Sequence, residues 1–324
     1  MGKDKGIFIM FLQPNSRGKT AYLFPGQGSQ AVGMGLALYQ QSTAARDFFQ
    51  AVDETLQSHF SHLLFYGPEE ELKQTINTQP AVMTVSLACL KAMEETFGVE
   101  IMNDPSFLAG HSLGEYTSLV AAGALEGTDA VWLVRQRGRL MQEASEMIPS
   151  GMASIFGLDD LIVEEICQQA GVEISYFNAP DQIVVAGEKG ALLRAMDMAI
   201  ARGARRVIPL QVSGAFHTNL MASAREGMAK AISEITFSDP RLPIIANSNA
   251  TPLTSIREVK DELMRETYTS VKWQQSIAYM WEHGVTKFVE IGPGRVLTGT
   301  VRRNSDNAET VSVSDVSSIE ALVR

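Results

Sequence analysis

One serine of the chain stands in the surroundings that a nucleophile requires. Ser112 is the centre of Gly-His-Ser-Leu-Gly at residues 110–114, between an apolar run at residues 107–109 and a helix-like segment. A serine on a tight turn from strand to helix projects its hydroxyl above the sheet, and the glycines leave space for the strained backbone. The Leu113 N–H and the helix N-terminus then face any oxyanion that forms. The pattern predicts a nucleophile elbow.

A serine nucleophile needs a base, and the chain has five histidines. His59 and His62 lie in a polar, amphipathic segment typical of solvated surface, and His283 ends a helical stretch. His111 is next to the serine, so its side chain points away from the hydroxyl and could line the site without taking the proton. Elimination favours His217, which follows a predicted strand at a point where α/β sites assemble. A purely structural histidine is the alternative.

One arginine lies on an apolar helix face. Arg137 shares that face with Ala130, Val134 and Met141. A guanidinium in such a position needs a partner, because burying its charge alone is prohibitive. Two interpretations remain open. The partner is either a buried carboxylate in a structural ion pair, or a substrate carboxylate held by two parallel hydrogen bonds.

A glycine-rich loop follows the first predicted strand. Residues 26–31, Gly-Gln-Gly-Ser-Gln-Ala, match the dinucleotide-binding pattern G-x-G-x-x-A, which makes a Rossmann oxidoreductase a competing hypothesis. That pattern also requires an acidic residue about twenty positions later at the end of a second strand. The candidates, Asp47 and Asp53, lie in a segment with helical periodicity and not at the end of a strand. The sequence around the loop therefore speaks against the oxidoreductase hypothesis. The alternative is that the loop lines an oxyanion site, to which Gln27 contributes its backbone or its side chain.

The elements around these residues alternate between strands and helices. Residues 20–24 are predicted to form a buried strand and residues 107–109 and 287–291 two further strands, and helical periodicity separates them. Such alternation predicts a parallel sheet flanked by helices. Within the helical region, residues 78–80 are expected to open a new helix because they end in Pro80.

A second periodicity begins near residue 150. Between residues 149 and 213 the predicted order is βαββαβ, the ferredoxin-like unit. We interpret residues 149–213 as a small subdomain inserted into a large α/β subdomain made of residues 19–148 and 214–324. Residues 1–18 are expected to be an N-terminal extension, and residues 214–234 are expected to return to helix.

Composition excludes several classes of protein. The 324 residues are 45% hydrophobic and 20% charged, enough for a large core, and the net charge of −10 speaks against general nucleic-acid binding. Cys89 and Cys167 are the only cysteines, so we expect neither a disulfide framework nor a metal site, and a reducing, cytoplasmic compartment. No apolar run approaches the ~18 residues that span a bilayer, so no membrane association is expected.

Five motifs occur in one order along most of the chain. They are Phe-Pro-Gly-Gln-Gly-Ser-Gln at 24–30, Gly-His-Ser-Leu-Gly-Glu-Tyr at 110–116, Arg-Gly at 137–138, Gly-Ala-Phe-His at 214–217 and Glu-Ile-Gly-Pro-Gly at 290–294. In this series the chain resembles the malonyl-CoA:acyl carrier protein transacylases of bacterial fatty-acid synthesis. The resemblance runs from about residue 20 to 303. It implies an α/β-hydrolase-like large subdomain with a parallel sheet and an inserted ferredoxin-like subdomain.

The resemblance also implies a reaction. Ser112, with His217 as base, would take a malonyl group from malonyl-CoA and pass it to the phosphopantetheine thiol of acyl carrier protein, by ping-pong transfer that supplies fatty-acid elongation. The oxyanion would lie between the Leu113 N–H and the Gln27 backbone. The coenzyme A thioester is a substrate in this scheme, and no cofactor is expected. We expect a monomer.

Further site residues follow from the resemblance. Arg137 would hold the malonyl carboxylate, Phe216 would crowd a branch at the malonyl α-carbon, and Asn178 would line the cleft between the subdomains. The base in this family is oriented by the main-chain carbonyl of a residue, commonly glutamine, seven positions before a tryptophan. Here that residue is Glu266. We expect its carbonyl to act; a carboxylate turned inward would instead make a Ser-His-Glu triad.

Three other hypotheses about the function remain open. A discrete acyltransferase of a polyketide synthase would share every motif. A serine hydrolase or thioesterase would usually have its histidine near the C-terminus, after an acidic loop residue, whereas His217 is mid-chain. A non-catalytic carrier-protein binder would not need Ser112, His217 and Arg137 together.

Overall fold

The structure, a computed structural model, describes residues 18–322. The predicted N-terminal extension, residues 1–18, lies outside the described residues apart from Gly18. Within the described residues the strands are β1 (Lys19–Phe24), β2 (Phe107–Gly110), β3 (Ser150–Phe156), β4 (Glu173–Ala179), β5 (Gln182–Glu188), β6 (Arg206–Pro209), β7 (Ile244–Ile245), β8 (Pro252–Leu253), β9 (Val285–Ile291) and β10 (Glu309–Val313).

Helices separate the strands along most of the chain. They are α1 (Leu36–Gln41), α2 (Thr43–Thr55), α3 (Phe60–Tyr66), α4 (Glu69–Leu72), α5 (Thr75–Phe97), α6 (Gly114–Ala121), α7 (Gly127–Met147), α8 (Asp160–Ala170), α9 (Lys189–Ala201), α10 (Ala224–Ser233), α11 (Ile256–Arg265), α12 (Trp273–Glu282), α13 (Val296–Asn304) and α14 (Val316–Ala321). Short 3₁₀ helices cover Val99–Asn103, Asn219–Met221 and Glu266–Tyr268. In the part of the chain thus described, none of the helices is long and apolar enough to span a bilayer.

The larger sheet positions the two loops that the sequence singled out. Its strand order is β10-β9-β1-β2-β7-β8, parallel except for β8. β1 lies between two parallel neighbours and is covered by helices, which explains its continuous apolar run. In the register of β1 and β2, Phe24 is opposite Gly110. The glycine-rich loop after Phe24 and the elbow after Gly110 therefore leave the same edge of the sheet side by side.

The smaller sheet is antiparallel, in the order β4-β5-β3-β6. With α8 and α9 it follows the chain order βαββαβ, so the predicted α/β class with an inserted ferredoxin-like unit is confirmed. One apolar cluster joins this sheet to α8 and α9 through Val163, Ile166 and Ala195. Another joins Met152 and Val184 to Ala215 and Phe216, in the loop just before His217. The division of the chain at residues 149 and 213 stays a prediction.

Two predicted helix boundaries are wrong. The helix expected to open at residues 78–80 already begins at Thr75, with Pro80 inside it. Pro80 has no N–H for the Ile76 carbonyl, and that carbonyl instead accepts a hydrogen bond from Arg135 Nη1 at 3.0 Å. A contact from α7 thus satisfies the group that the proline leaves open.

The other error concerns residues 214–234. The helix expected there forms only as α10, beginning at Ala224. Upstream, His217 has a left-handed backbone, with φ of 58°, and its N–H donates to the Thr267 carbonyl at 3.1 Å. A left-handed residue bonded to a distant segment cannot continue an α-helix. The interruption turns the histidine toward the elbow.

Candidate active site

The predicted nucleophile lies on a strained turn between β2 and α6. Ser112 has φ of 54°, which non-glycine residues seldom adopt, and its side chain is buried. The turn is tight because the chain packs against β1. A Cβ added to Gly114 would stand 2.2 Å from the Phe24 carbonyl oxygen, and one added to Gly110 would stand 1.9 Å from the Gly114 backbone. The glycines of the pentapeptide are therefore required by close backbone approach.

An asparagine that follows β7 holds the backbone of the elbow by hydrogen bonds. Asn247 Oδ1 accepts from the Ser112 N–H at 2.8 Å, and its Nδ2 donates to the Gly110 carbonyl at 2.7 Å. The Asn247 N–H in turn donates to Glu115 Oε1 at 3.0 Å. Burial, followed by repulsion from Glu262 and Glu266, raises the pKa of Glu115 well above its ordinary value.

His217 contacts Ser112, the predicted nucleophile, directly. Its Nε2 is 2.7 Å from Ser112 Oγ, and its Nδ1 is 2.7 Å from the Glu266 carbonyl oxygen. Because a carbonyl oxygen only accepts, Nδ1 carries the hydrogen, which leaves Nε2 as the acceptor for the serine hydroxyl. The serine proton thus points at a neutral imidazole nitrogen, the arrangement of a general base.

Burial sets the protonation state of this histidine. Removal of water from the ring lowers the pKa of His217 to about 4, with Arg137 acting in the same direction and Glu266 opposing it. The imidazole is therefore neutral, and able to accept a proton, throughout the neutral pH range.

Arg137 joins the same cluster and is paired on several sides. Its Nε and Nη2 donate to the two carboxylate oxygens of Glu266, each at 2.8 Å. Nη1 donates to Gln79 Oε1 at 2.7 Å, and Nη2 also donates to Ser112 Oγ at 3.1 Å. The ion-pair interpretation of this arginine is thus observed. The pair lies within the cluster, with the guanidinium in contact with the Ser112 hydroxyl.

Glu266 contacts both the base and the arginine, through different groups. Its main-chain carbonyl orients His217, while its side chain is fully buried and lies 3.9 Å from His217 Nδ1 at the closer oxygen. Burial alone would raise the pKa of Glu266, but the ion pair with Arg137 outweighs it and lowers that pKa. The Tyr116 hydroxyl adds a hydrogen bond at 3.1 Å. The carboxylate is therefore ionised.

A cavity of about 440 Å³ lies between the two sheets beside this cluster. Four predicted site residues line it: Gln27, His111, Asn178 and Phe216. His111 Nε2 lies 3.0 Å from Asn178 Oδ1, so these two side chains bridge the elbow and β4. Ser112 directly follows His111 in the chain and His217 directly follows Phe216, so both are next to residues that line this cavity.

The two predicted oxyanion donors lie on the loops that the sheet register brings together. Leu113 is the N-cap of α6, whose N-terminus faces the nucleophile. Gln27 stands in the loop after β1, and its side chain reaches Thr75 Oγ1 at 3.4 Å. Their role as a donor pair stays a prediction.

Four site residues were missed by the sequence reasoning: Gln79, Tyr116, Glu115 and Asn247. Tyr116 and Glu115 directly follow the pentapeptide, and Glu115 is a charged residue at the start of an apolar helix, which is a usable signal. Gln79 lies beside Pro80 on a helix that is buried nearly all round. Asn247 offers no signal, because only the fold brings its loop to the elbow.

Metal ligands are not grouped anywhere in residues 18–322: His, Cys, Asp and Glu side chains form no set of three or more that could hold an ion. Both cysteines in this part of the chain are free and buried. The polar groups of the cluster are the Ser112 hydroxyl, the His217 imidazole, the Arg137 guanidinium and the Glu266 carboxylate.

Comparison with known proteins gives the class first. The family model described as acyl transferase domain matches residues 21–321, nearly the whole described chain, so the enzyme is an acyltransferase. A malonyl CoA-acyl carrier protein transacylase of Bacillus subtilis (strain 168) is 41% identical over 311 residues, covering 94% of this chain and 96% of the relative.

Solved structures agree with the sequence relatives. An acyl carrier protein S-malonyltransferase from Vibrio cholerae O1 superimposes with a TM-score of 0.88 at 40% identity, covering 94% of this chain and 99% of that one. A malonyl-transacylase in complex with a type II polyketide synthase acyl-carrier protein gives 0.89 at 37% identity, covering 94% and 99%. The chain belongs to the malonyl CoA-acyl carrier protein transacylase family.

Proposed function

We propose that this enzyme transfers the malonyl group of malonyl-CoA to the phosphopantetheine thiol of acyl carrier protein through a malonyl-Ser112 ester. The observation that carries the proposal is the meeting of two groups, an imidazole and a guanidinium, at one hydroxyl oxygen. Ser112 Oγ lies 2.7 Å from His217 Nε2 and 3.1 Å from Arg137 Nη2. A base and a cation at the same hydroxyl suit a nucleophile whose acyl group carries a negative charge.

In the first half-reaction His217 Nε2 takes the proton of Ser112 as Oγ attacks the thioester carbonyl carbon. The N–H groups of Leu113 and Gln27 would hold the oxyanion, and one such donor is worth about 3 kcal/mol. The tetrahedral intermediate then expels the coenzyme A sulfur, which takes the proton from His217. The Glu266 carbonyl keeps Nδ1–H in place throughout.

In the second half-reaction the phosphopantetheine thiol gives its proton to His217, and its sulfur attacks the ester carbonyl. The tetrahedral intermediate collapses, the bond from its carbon to Ser112 Oγ breaks, and Oγ regains the proton from His217. No cofactor enters either step, since the coenzyme A thioester is consumed as substrate. Phe216 lines the cavity beside the base, where it would restrict branching at the α-carbon of the acyl group.

Arg137 would contact the malonyl carboxylate with the N–H groups that Glu266 does not hold. These groups, on Nη1 and Nη2, donate to Gln79 and Ser112 in the absence of an acyl group. We predict that Arg137→Ala lowers the rate of malonyl loading more than that of acetyl loading. Arg139→Ala, on an exposed position two residues along the same helix, is the matched control. An unchanged ratio of the two rates would contradict this role.

Intact-mass analysis after mixing with malonyl-CoA tests the proposal. We expect a gain of one malonyl group that is absent in Ser112→Ala, and that is lost slowly in water but rapidly to acyl carrier protein. Absence of the adduct in the unmodified enzyme would refute the covalent step. Rapid loss in water without a carrier protein would instead indicate a hydrolase or thioesterase.

A discrete acyltransferase serving a polyketide synthase is a second candidate. It is favoured by the structural relative that was solved with a type II polyketide synthase acyl-carrier protein. The reaction is the same in both pathways, so the comparison has to use the carrier. Faster transfer to a fatty-acid carrier protein than to a polyketide carrier protein supports fatty-acid elongation, and the reverse supports the polyketide role. The monomeric state and the cytoplasmic location stay predictions.

A further inference from the structure

The negative charge beside the nucleophile belongs to a side chain that the proposed reaction does not use. Glu266 acts on His217 through its main-chain carbonyl, whereas its carboxylate is bound to Arg137 by two hydrogen bonds of 2.8 Å. Both side chains are buried, with at most 1% of either exposed. The pair is therefore screened little by solvent, and the carboxylate largely neutralises the guanidinium.

This neutralisation affects a charged acyl group more than an uncharged one. A malonyl carboxylate that reaches the remaining N–H groups of Arg137 brings a second negative charge next to that of Glu266. Two carboxylates around one buried cation repel each other, and this repulsion opposes the attraction of each for the cation. An acetyl group carries no charge and experiences neither effect.

We propose that the Glu266 carboxylate is a specificity-determining group of this site, which lowers the preference for malonyl over uncharged short acyl groups by occupying and neutralising Arg137. The inference rests on the proposed function, since it concerns acyl loading on Ser112. A neutral amide at position 266 would still offer one acceptor oxygen to the guanidinium. It would leave the positive charge of Arg137 available to the incoming carboxylate.

The side-chain role can be separated from the main-chain role. Glu266→Gln keeps the carbonyl that accepts from His217 Nδ1 and removes only the charge. Any effect of the lost charge on the base, 3.9 Å away, applies equally to every acyl group because all of them use the same hydroxyl and imidazole. The ratio of malonyl to acetyl loading cancels such effects and reports the acyl contact alone.

The experiment measures single-turnover acylation of Ser112 by malonyl-CoA and, separately, by acetyl-CoA, read as intact mass after acid quench. For Glu266→Gln we expect the ratio of the two second-order rate constants, malonyl over acetyl, to rise about tenfold over that of the unsubstituted enzyme, equivalent to about 1.4 kcal/mol. A rise of threefold or more supports the proposal. A smaller rise, or a fall, overturns it.

Glu262→Gln is the matched control. Glu262 is another buried carboxylate, four residues earlier, and it is hydrogen-bonded to Ser248 and Arg265. Removing its charge should leave the malonyl-to-acetyl ratio unchanged within twofold. An equal rise in this control would mean that any buried charge loss shifts the ratio, and it would overturn the assignment to Glu266.

Glu266→Gln leaves Arg137 without its counter-charge, so the variant could fail to fold. In that case the unsubstituted enzyme decides, because the proposal requires modest discrimination. A malonyl-to-acetyl ratio below about a hundredfold supports it, and a larger ratio overturns it. If neither thioester labels Ser112, the proposed function itself fails. If both label it and the ratio does not respond, only the role of the Glu266 side chain fails.

Discussion

Lowering the pH tests the environment of the proposed base. His217 is buried between the elbow and the smaller sheet, and its pKa falls from 6.5 to about 4 as a result. A difference of about 2.5 pH units corresponds to about 3 kcal/mol in favour of the neutral ring. At pH 5.5 a histidine with the ordinary pKa would be only about 9% neutral, whereas one with a pKa near 4 would be about 97% neutral.

An uncharged fluorophosphonate reports this neutral fraction without a titrating substrate. Ser112 Oγ attacks phosphorus and displaces fluoride, and the rate depends on proton removal by His217. We expect the labelling rate at pH 5.5 to stay within about twofold of its value at pH 8. A roughly tenfold fall between those two pH values would refute the argument, since it would place the pKa of the base near its ordinary value.

Two controls keep the measurement interpretable. Ser112→Ala should take up no label. Tryptophan fluorescence should confirm that the protein remains folded at pH 5.5, because stability decreases toward acid. The pKa values of both His217 and His111 are about 4 in the folded protein. The unfolded chain therefore binds more protons as the pH falls from 6.5 toward 4, which favours unfolding over that window and not above it.

Two further predictions concern the turn that carries the nucleophile. Asn247→Ala leaves the Ser112 N–H and the Gly110 carbonyl without their hydrogen-bond partner. We expect urea titration to show a loss of about 2–4 kcal/mol in the free energy of unfolding. We expect single-turnover loading to show acylation slower by about tenfold or more. Unchanged acylation would contradict the positioning role. Gly114→Ala brings a Cβ to 2.2 Å from the Phe24 carbonyl oxygen, so we expect at least about 3 kcal/mol of destabilisation. Gly299→Ala, where no atom beyond the chain neighbours and the local helix backbone lies within 4 Å of the added Cβ, should stabilise slightly. Similar urea midpoints for both variants would contradict the predicted clash at position 114.

The sequence was most informative where chemistry and backbone requirements coincide within a few residues. The elbow around Ser112 was predictable because strand, glycines, serine and helix follow one another without interruption. β1 was predictable because a strand buried between parallel neighbours is apolar along its length. His217 emerged by elimination, which needed only a short inventory of bases.

Contacts between distant segments were beyond the sequence. The pairing of Arg137 with Glu266 joins residues 129 positions apart, so an apolar helix face could indicate only that some partner exists. Asn247 meets the elbow solely because β7 pairs with β2. The failed helix prediction before Ala224 has the same origin, since a hydrogen bond to Thr267 decides the local backbone.

Both residues that we propose to react, Ser112 and His217, have backbones that a side chain with a Cβ seldom adopts, with φ of 54° and 58°. Each such conformation is unfavourable by about 1–3 kcal/mol, and the rest of the fold has to supply that free energy. Glycine at either position would remove this strain, but under the proposed mechanism it would also remove the nucleophile or the base. At these two positions, the substitution that relieves backbone strain is therefore the one expected to abolish acyl transfer.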